Sequence, residues 1–189
     1  MRIKRTFQNK KVTIHLLSKN DLNKVEKFVD YINSLVKEKA QIMHHSSFAL
    51  AEEKKWLKEQ LRDIKNKKEV MLVAEADNKI IGIVDIKLGK GRQNHIGDFG
   101  ISIRQGYRRL GLGKYLTKQI IQLARKRLKP RFIRISVFST NKIAQKLYRK
   151  FGFKVINRIP HQFQYRGRLV DEIIMMKSIR PKKRKKYLK

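Results

Sequence analysis

The sequence predicts an α/β fold in a single domain. Its 189 residues suit one well-filled core with short extensions. Apolar alternation and apolar helical spacing interleave in the order strand, two helices, three strands, helix, strand, helix, two strands. Neither an internal repeat nor an interdomain linker interrupts that order.

Val12 to Leu17 reads as the first strand. Ser18 and Asp21 are both candidate caps for the helix that follows, in which Leu22, Val25, Phe28, Val29, Ile32, Leu35 and Val36 recur at helical spacing. A second helix is expected from Leu50 to Lys67, with Trp56, Leu57, Leu61 and Ile64 on one face. A polar connection, Ala40 to Ser47, joins the two. Val70 to Ala74 and Ile80 to Leu88 form a hairpin around Asp77-Asn78-Lys79, and His95 to Ile103 is a further strand. A basic, glycine-containing stretch from Gln105 to Gly113 leads into a helix over Leu112 to Leu128, stopped by Pro130. Arg131 to Phe138 is a strand. Asn141 to Phe151 is a helix that Gly152 ends as a left-handed residue. Phe153 to Phe163 and Leu169 to Met176 make a last hairpin around Arg166-Gly167.

Composition narrows the function classes. Without cysteine there is neither a disulfide nor a thiolate metal site. No apolar run approaches the roughly 20 residues of a membrane span. Met1 to Thr6 lacks the apolar core of a signal peptide, so a cytoplasmic protein without membrane contact is expected. Forty-eight Lys and Arg against 15 acidic residues give a formal charge of +33. Such a field attracts polyanions, although a composition bias spread over the whole chain accounts for it equally simply. Only Arg180 to Lys189 concentrates the charge. That segment cannot bury an apolar face, so residues 1–179 are expected to form the domain and 180–189 a disordered basic tail open to weak nucleic-acid or ribosome contact.

The chemistry concentrates in Ile101-Ser-Ile-Arg-Gln-Gly-Tyr-Arg108-Arg109-Leu110-Gly111-Leu112-Gly113-Lys114. A strand feeds a short loop that opens a helix, whose first turn offers free N–H groups and a positive dipole end. Two glycines allow close approach to the backbone. The combination suits a pyrophosphate. The Gly-Lys-Ser/Thr ending of nucleotide hydrolases is missing, and the glycine spacing differs from the dinucleotide fingerprint.

Here the sequence resembles the GNAT (Gcn5-related N-acetyltransferase) superfamily. Arg108-x-x-Gly111-x-Gly113 is similar to its acyl-CoA signature. Asn141-Lys-Ile-Ala144-Gln-Lys-Leu147-Tyr148-Arg-Lys-Phe-Gly152-Phe153 is similar to its second signature, with one helix and one strand between them. The element order agrees over residues 10 to 177. The resemblance implies a mixed sheet of about seven strands with splayed middle strands, His95 to Ile103 and Arg131 to Phe138, and four main helices. It implies acetyl-CoA as co-substrate, an amine acceptor and no metal. A homodimer is compatible with it. Backbone amides of Arg108, Arg109, Leu110, Gly111, Leu112, Gly113 and Lys114 would hold the pyrophosphate. Ile101 and Ile103, flanking Ser102, would pair with the pantetheine, Asn141 would hydrogen-bond it, and Tyr148 would stand by the thioester sulfur.

These residue types fit direct transfer from thioester to amine. Positioning supplies much of the rate. A spare N–H near Ile101 can face the developing oxyanion, and the Tyr148 phenol can protonate the leaving thiolate. Its plainer role is a core aromatic. An ammonium acceptor, with a pKa of about 10.4 if Lys-like, must lose a proton. In the family a carboxylate on the strand before the CoA loop often takes it, which points to Asp98 as base and to His95 as second choice. His44-His45 lies where the family lines its acceptor site, but adjacent histidines face opposite ways, so metal is not expected there. Trp56 reads as core. Glu52, Glu53 and Glu59 could attract a cationic acceptor, yet a solvated helix face is the simpler reading. The alternative to an enzyme is a basic nucleic-acid- or ribosome-associated protein on the same scaffold.

Overall fold

The expected elements are present in the computed structural model, which describes residues 2–43 and 46–179. The strands are β1 Arg2–Phe7, β2 Lys10–Leu16, β3 Glu69–Ala76, β4 Lys79–Leu88, β5 Ile96–Ile103, β6 Phe132–Phe138, β7 Lys154–Tyr165 and β8 Arg168–Ser178. The helices are α1 Val25–Lys37, α2 Leu50–Lys65, α3 Leu112–Arg127 and α4 Lys142–Lys150. The described strands form one mixed sheet in the order β1-β2-β3-β4-β5-β6-β8-β7. Among the described residues no helix is long and apolar enough to cross a membrane.

The expected count of about seven strands is corrected to eight by β1, which pairs antiparallel with β2 from Arg2↔His15 to Phe7↔Lys10. Its alternation is real, with Ile3 half-buried and Phe7 buried, but Arg2, Lys4 and Arg5 mask it in a Lys- and Arg-rich terminus. The β3–β4 turn puts Asp77 and Asn78 at φ of 49° and 60°, the left-handed pair that a two-residue hairpin turn requires. Ser18 and Asp21 act together ahead of α1. The Asp21 carboxylate accepts from the Ser18 backbone N–H at 2.8 Å and from its hydroxyl at 3.0 Å.

β3 is buried along nearly its whole length because helices cover both sheet faces, so it reads as a continuous apolar run. On one face Phe28, Tyr31 and Leu35 of α1 and Leu57 of α2 pack on Met71, Val73 and Ile80. On the other, Leu112, Leu116, Ile120 and Ala124 of α3 pack on Leu72, Ala74, Ile81 and Val84. The α1–α2 face therefore carries a separate small core.

The functionally decisive feature lies at the sheet's centre. β5 and β6 run parallel but pair only at Ile96↔Phe132, Gly97↔Ile133 and Asp98↔Arg134. Beyond that pair they part. Phe99, the first β5 residue past it, meets Tyr148 and Phe153 at ring-centroid distances of 5.7 and 6.2 Å.

Leu116 is fully buried at the centre of the α3 contact, whereas Leu169 is 63% exposed. Urea unfolding is expected to show Leu116→Ala losing about 2–5 kcal/mol and Leu169→Ala changing stability by no more than about 0.5 kcal/mol.

Candidate active site

Backbone direction along β5 determines what the gap offers. The Arg104 amide donates to the Ile81 carbonyl, and the Ile96 carbonyl accepts from Gly89. Even-numbered backbone groups of β5 thus serve β4, and odd-numbered ones face β6. Past the last β5–β6 pair, Phe99, Ile101 and Ile103 present theirs to an open space. The Ile103 carbonyl accepts from Arg108 Nε at 2.6 Å, and the Arg108 guanidinium also pairs with Glu38 just past α1. Ser102 points to the α1 face instead, where its hydroxyl and the Tyr31 hydroxyl lie 2.8 Å apart. Burial pushes the Tyr31 phenol upward, with the Ser102 bond opposing the shift.

The basic loop enters α3 through left-handed backbone at Arg109 (φ 62°) and Gly111 (φ 88°). Gly111 is needed for that conformation, since a Cβ there would meet only Phe7, at 4.0 Å. Gly113 is needed for closeness, since its Cβ would come within 3.3 Å of Ile103 Cδ1. The Tyr115 amide makes the first α3 bond, to the Gly111 carbonyl, so the Leu112, Gly113 and Lys114 amides of the first turn lack intrahelical partners. Leu112 is buried, Leu110 packs on the core and Lys114 is exposed. β1 supports this loop. Phe7 meets Tyr115 edge-on at 5.6 Å, and the Arg5 guanidinium lies 4.7 Å over the Tyr115 ring.

The strand gap opens into a cleft of about 630 Å³ between the sheet, α1 and α2. Tyr148 and Asn141 line it together with Phe99, Ile101 and Ser102. Asn141 caps α4, its Oδ1 accepting from the Ala144 amide at 3.1 Å. Tyr148 is 5% exposed and belongs to the core, yet its hydroxyl has no hydrogen-bond partner among the described residues. Burial pushes that phenol upward, so it keeps its proton. Gln41, Ile42, Met43 and Phe48, from between α1 and α2, also line the cleft. Gln41 Nε2 donates to Thr140 Oγ1 at 2.6 Å, and Asn33 and Phe48 exchange two hydrogen bonds.

Two of the expected basic groups are placed differently from the reading above. Asp98 lines the cleft, but both its oxygens accept from Arg134, at 2.6 and 3.0 Å, in a bidentate pair. His95 precedes the paired part of β5, rests edge-on against Phe132 at 6.3 Å and does not line the cleft. Three other carboxylates do, Glu53, Asp85 and Glu172. Glu53 does not lie on a solvated helix face: it is 5% exposed, and burial lifts its carboxyl to about 7. Asp85 stands directly across from Gly100 in the β4–β5 register. A Cβ at Gly100 would come within 2.6 Å of Asp85 Oδ1, so the glycine makes room for the carboxylate. Desolvation lifts Asp85 to about 6, against the pull of Lys87 and with a push from Asp98. An aspartate facing a glycine across a hairpin was the available sequence signal. Glu53 carried none, because only the packing of α2 turns it inward. Glu52 instead accepts from the Ala49 amide at the start of α2. Trp56 is both core and cleft wall; with the Gln60 amide turned to match its neighbours, its oxygen accepts from Trp56 Nε1 at 3.2 Å and its nitrogen donates to buried Glu69 at 2.7 and 2.9 Å. His44-His45 and the 180–189 tail lie outside the described residues.

Residues 37–153 match the profile of the Acetyltransferase (GNAT) family. The chain belongs to that family. It is 31% identical over 85 residues to the L-amino acid N-acetyltransferase AaaT of Escherichia coli (strain K12). That match covers 44% of this chain and about half, 52%, of AaaT. The GNAT-family acetyltransferase from Streptococcus pneumoniae superposes with a TM-score of 0.78 at 25% identity, over 89% of this chain and 99% of that one. yncA from Salmonella typhimurium, solved with its cofactor acetyl-CoA, shares the fold at a TM-score of 0.75 and 18% identity, over 89% and 94% of the two chains.

In this GNAT chain the Tyr31–Ser102 contact ties α1, which walls the cleft, to the strand that borders the gap. A double-mutant cycle of Tyr31→Phe and Ser102→Ala, read by urea unfolding, is expected to give a coupling of about 0.5–1.5 kcal/mol.

Proposed function

We propose that this chain is an acetyl-CoA-dependent N-acetyltransferase in which an amine attacks the thioester directly. The observation that carries the reading is the single cleft in which the open edge of β5, the Asn141 cap and the Tyr148 hydroxyl converge. The residues present fit the co-substrate. The unpartnered first-turn amides of α3 and its dipole suit a pyrophosphate, with Arg108, Arg109 and Lys114 adding positive charge. The odd-numbered backbone groups of β5 suit an arm carrying amides, as one more strand would pair. The Arg108 guanidinium must then release both the Ile103 carbonyl and Glu38 to turn toward phosphate. The Asn141 Nδ2 group remains for a carbonyl of that arm, since Oδ1 caps α4.

Acetyl-CoA supplies the acetyl group as an activated thioester. The Ile101 amide, facing the gap, serves as a fixed donor to the developing oxyanion. Tyr148, protonated at working pH, gives its proton to the departing thiolate. Closure by the α1–α2 segment excludes water and holds the amine in place. Asp98 acts as a positioning residue through Arg134 rather than as the free base, since both of its oxygens are engaged.

Gly111→Glu sets a side chain and a negative charge in left-handed backbone at the loop. Calorimetric titration is expected to show acetyl-CoA binding abolished while circular dichroism stays that of the parent. Unchanged affinity would refute this placement of the loop. Tyr148→Phe is expected to lower kcat by about 10²–10⁴-fold, the usual worth of a positioned acid, with acetyl-CoA affinity within about twofold. Steady-state rates with a thiol-release assay decide it, and an unaltered kcat returns Tyr148 to packing alone.

A further inference from the structure

The cleft contradicts the molecule's overall charge. The chain carries +33, yet the residues lining the cleft include four carboxylates, Glu53, Asp85, Asp98 and Glu172, and one guanidinium, Arg134. That guanidinium is already taken by the bidentate Asp98 pair and lies near Glu172. Among the described lining residues no further cation is left to meet a carboxylate on an acceptor. An α-amino acid, whose carboxylate needs such a partner when desolvated, is a poor fit.

Glu53 and Asp85 stand apart from the Arg134 guanidinium. Neither Glu53 nor Asp85 has a hydrogen bond or close ion pair among the described residues. Lys87, the cation that acts on Asp85, is held by Asp63 at 2.8 Å and Glu69 at 3.6 Å. Glu53 is nevertheless 5% exposed and faces the cleft. A largely desolvated acid that opens on the cleft has no counter-ion there, and a ligand that brings a cation supplies one. The two acids come from different walls, Glu53 from α2 and Asp85 from β4. Asp85 lies over Gly100, one residue from the Ile101 amide at the strand gap. The lining also includes the apolar side chains of Trp56, Phe48 and Ile42.

Resting on the acetyltransferase reading above, we propose that the acceptor is a primary alkylamine with a second cationic centre and no carboxylate, a diamine or polyamine. Its reacting ammonium meets Asp85, its methylenes lie along Trp56 and Phe48, and its second ammonium pairs with Glu53. Asp85 takes one proton from the ammonium. The amine lone pair forms the N–C bond to the thioester carbonyl as the C–S bond breaks, and Tyr148 protonates the thiolate. The second nitrogen proton returns to Tyr148 through water, and Asp85 releases its proton to solvent. Amide, free thiol and one proton result. The positive exterior does not forbid such an acceptor, because a cleft with low-dielectric walls sets its own local potential.

The test uses the full chain with acetyl-CoA, and with putrescine, spermidine, n-butylamine and L-methionine as acceptors. Calorimetry with acetyl-CoA is run first on the parent, Glu53→Gln and Asp85→Asn, and equal binding by all three shows that the variants fold. The expected kcat/KM for the two polyamines exceeds that for n-butylamine and L-methionine by at least about tenfold. Glu53→Gln should erase that advantage by raising KM for the two polyamines, while Asp85→Asn should lower kcat for every amine. If acetyl-CoA binds but L-methionine is the better acceptor, or Glu53→Gln leaves the polyamine preference intact, or no amine of the panel is turned over, the acceptor assignment is overturned and the acetyltransferase reading is not. Failure of the parent to bind acetyl-CoA overturns both.

Discussion

The parallel ladder between β5 and β6 stops after the Asp98↔Arg134 pair, and the functional architecture depends on that early stop. A continuous ladder would satisfy every backbone group at the sheet's centre and leave nothing to recognise an extended ligand. Ending it at residue 98 opens the odd-numbered groups of β5 and creates the entrance to the cleft. The last pair is locked by its side chains, two charge-assisted bonds between Arg134 and Asp98. The Phe99, Tyr148 and Phe153 rings pack together where the strands part. The same residues thus terminate pairing, support α4 and present the Tyr148 hydroxyl.

Charge is arranged on two scales. The exterior, with its large Lys and Arg excess, and the basic loop at α3 favour an anionic nucleotide-bearing molecule. The cleft beyond the strand gap carries most of its formal charge as carboxylates. A ligand approaching from the loop side and one approaching from the α1–α2 side therefore meet opposite potentials. That separation suits a reaction that joins an anionic donor to a cationic acceptor, with Ile101 and Tyr148 at the boundary.

Much of this was legible along the chain. Helical spacing located α1, α2, α3 and α4 to within a few residues, and Asp77-Asn78 marked the β3–β4 turn. The two glycines of the loop are justified by two different demands, left-handed backbone at Gly111 and close packing on Ile103 at Gly113. β1 escaped notice because its alternating positions are occupied by arginine and lysine as often as by apolar residues. In the structure its Phe7 nevertheless props the start of α3. Asp98 attracted attention as the one acid on its strand, but a strand reading cannot see that Arg134 lies beside it across a parallel pair.

Local pattern by itself determined the α/β class, the order of its elements, the loop-to-helix geometry at Gly111 and the placing of Tyr148 and Asn141 on one helix. Those features depend on backbone propensity and short-range periodicity, which a linear chain displays. Only the tertiary structure decided which carboxylates face the cleft. Glu53 sits on α2 among other acids and lysines and is singled out by the angle at which that helix packs. Asp85 is singled out by the absence of a side chain at Gly100 on the neighbouring strand. Both facts belong to contacts between residues far apart in sequence, and it is those contacts that set desolvation, and with it the charge the acceptor meets.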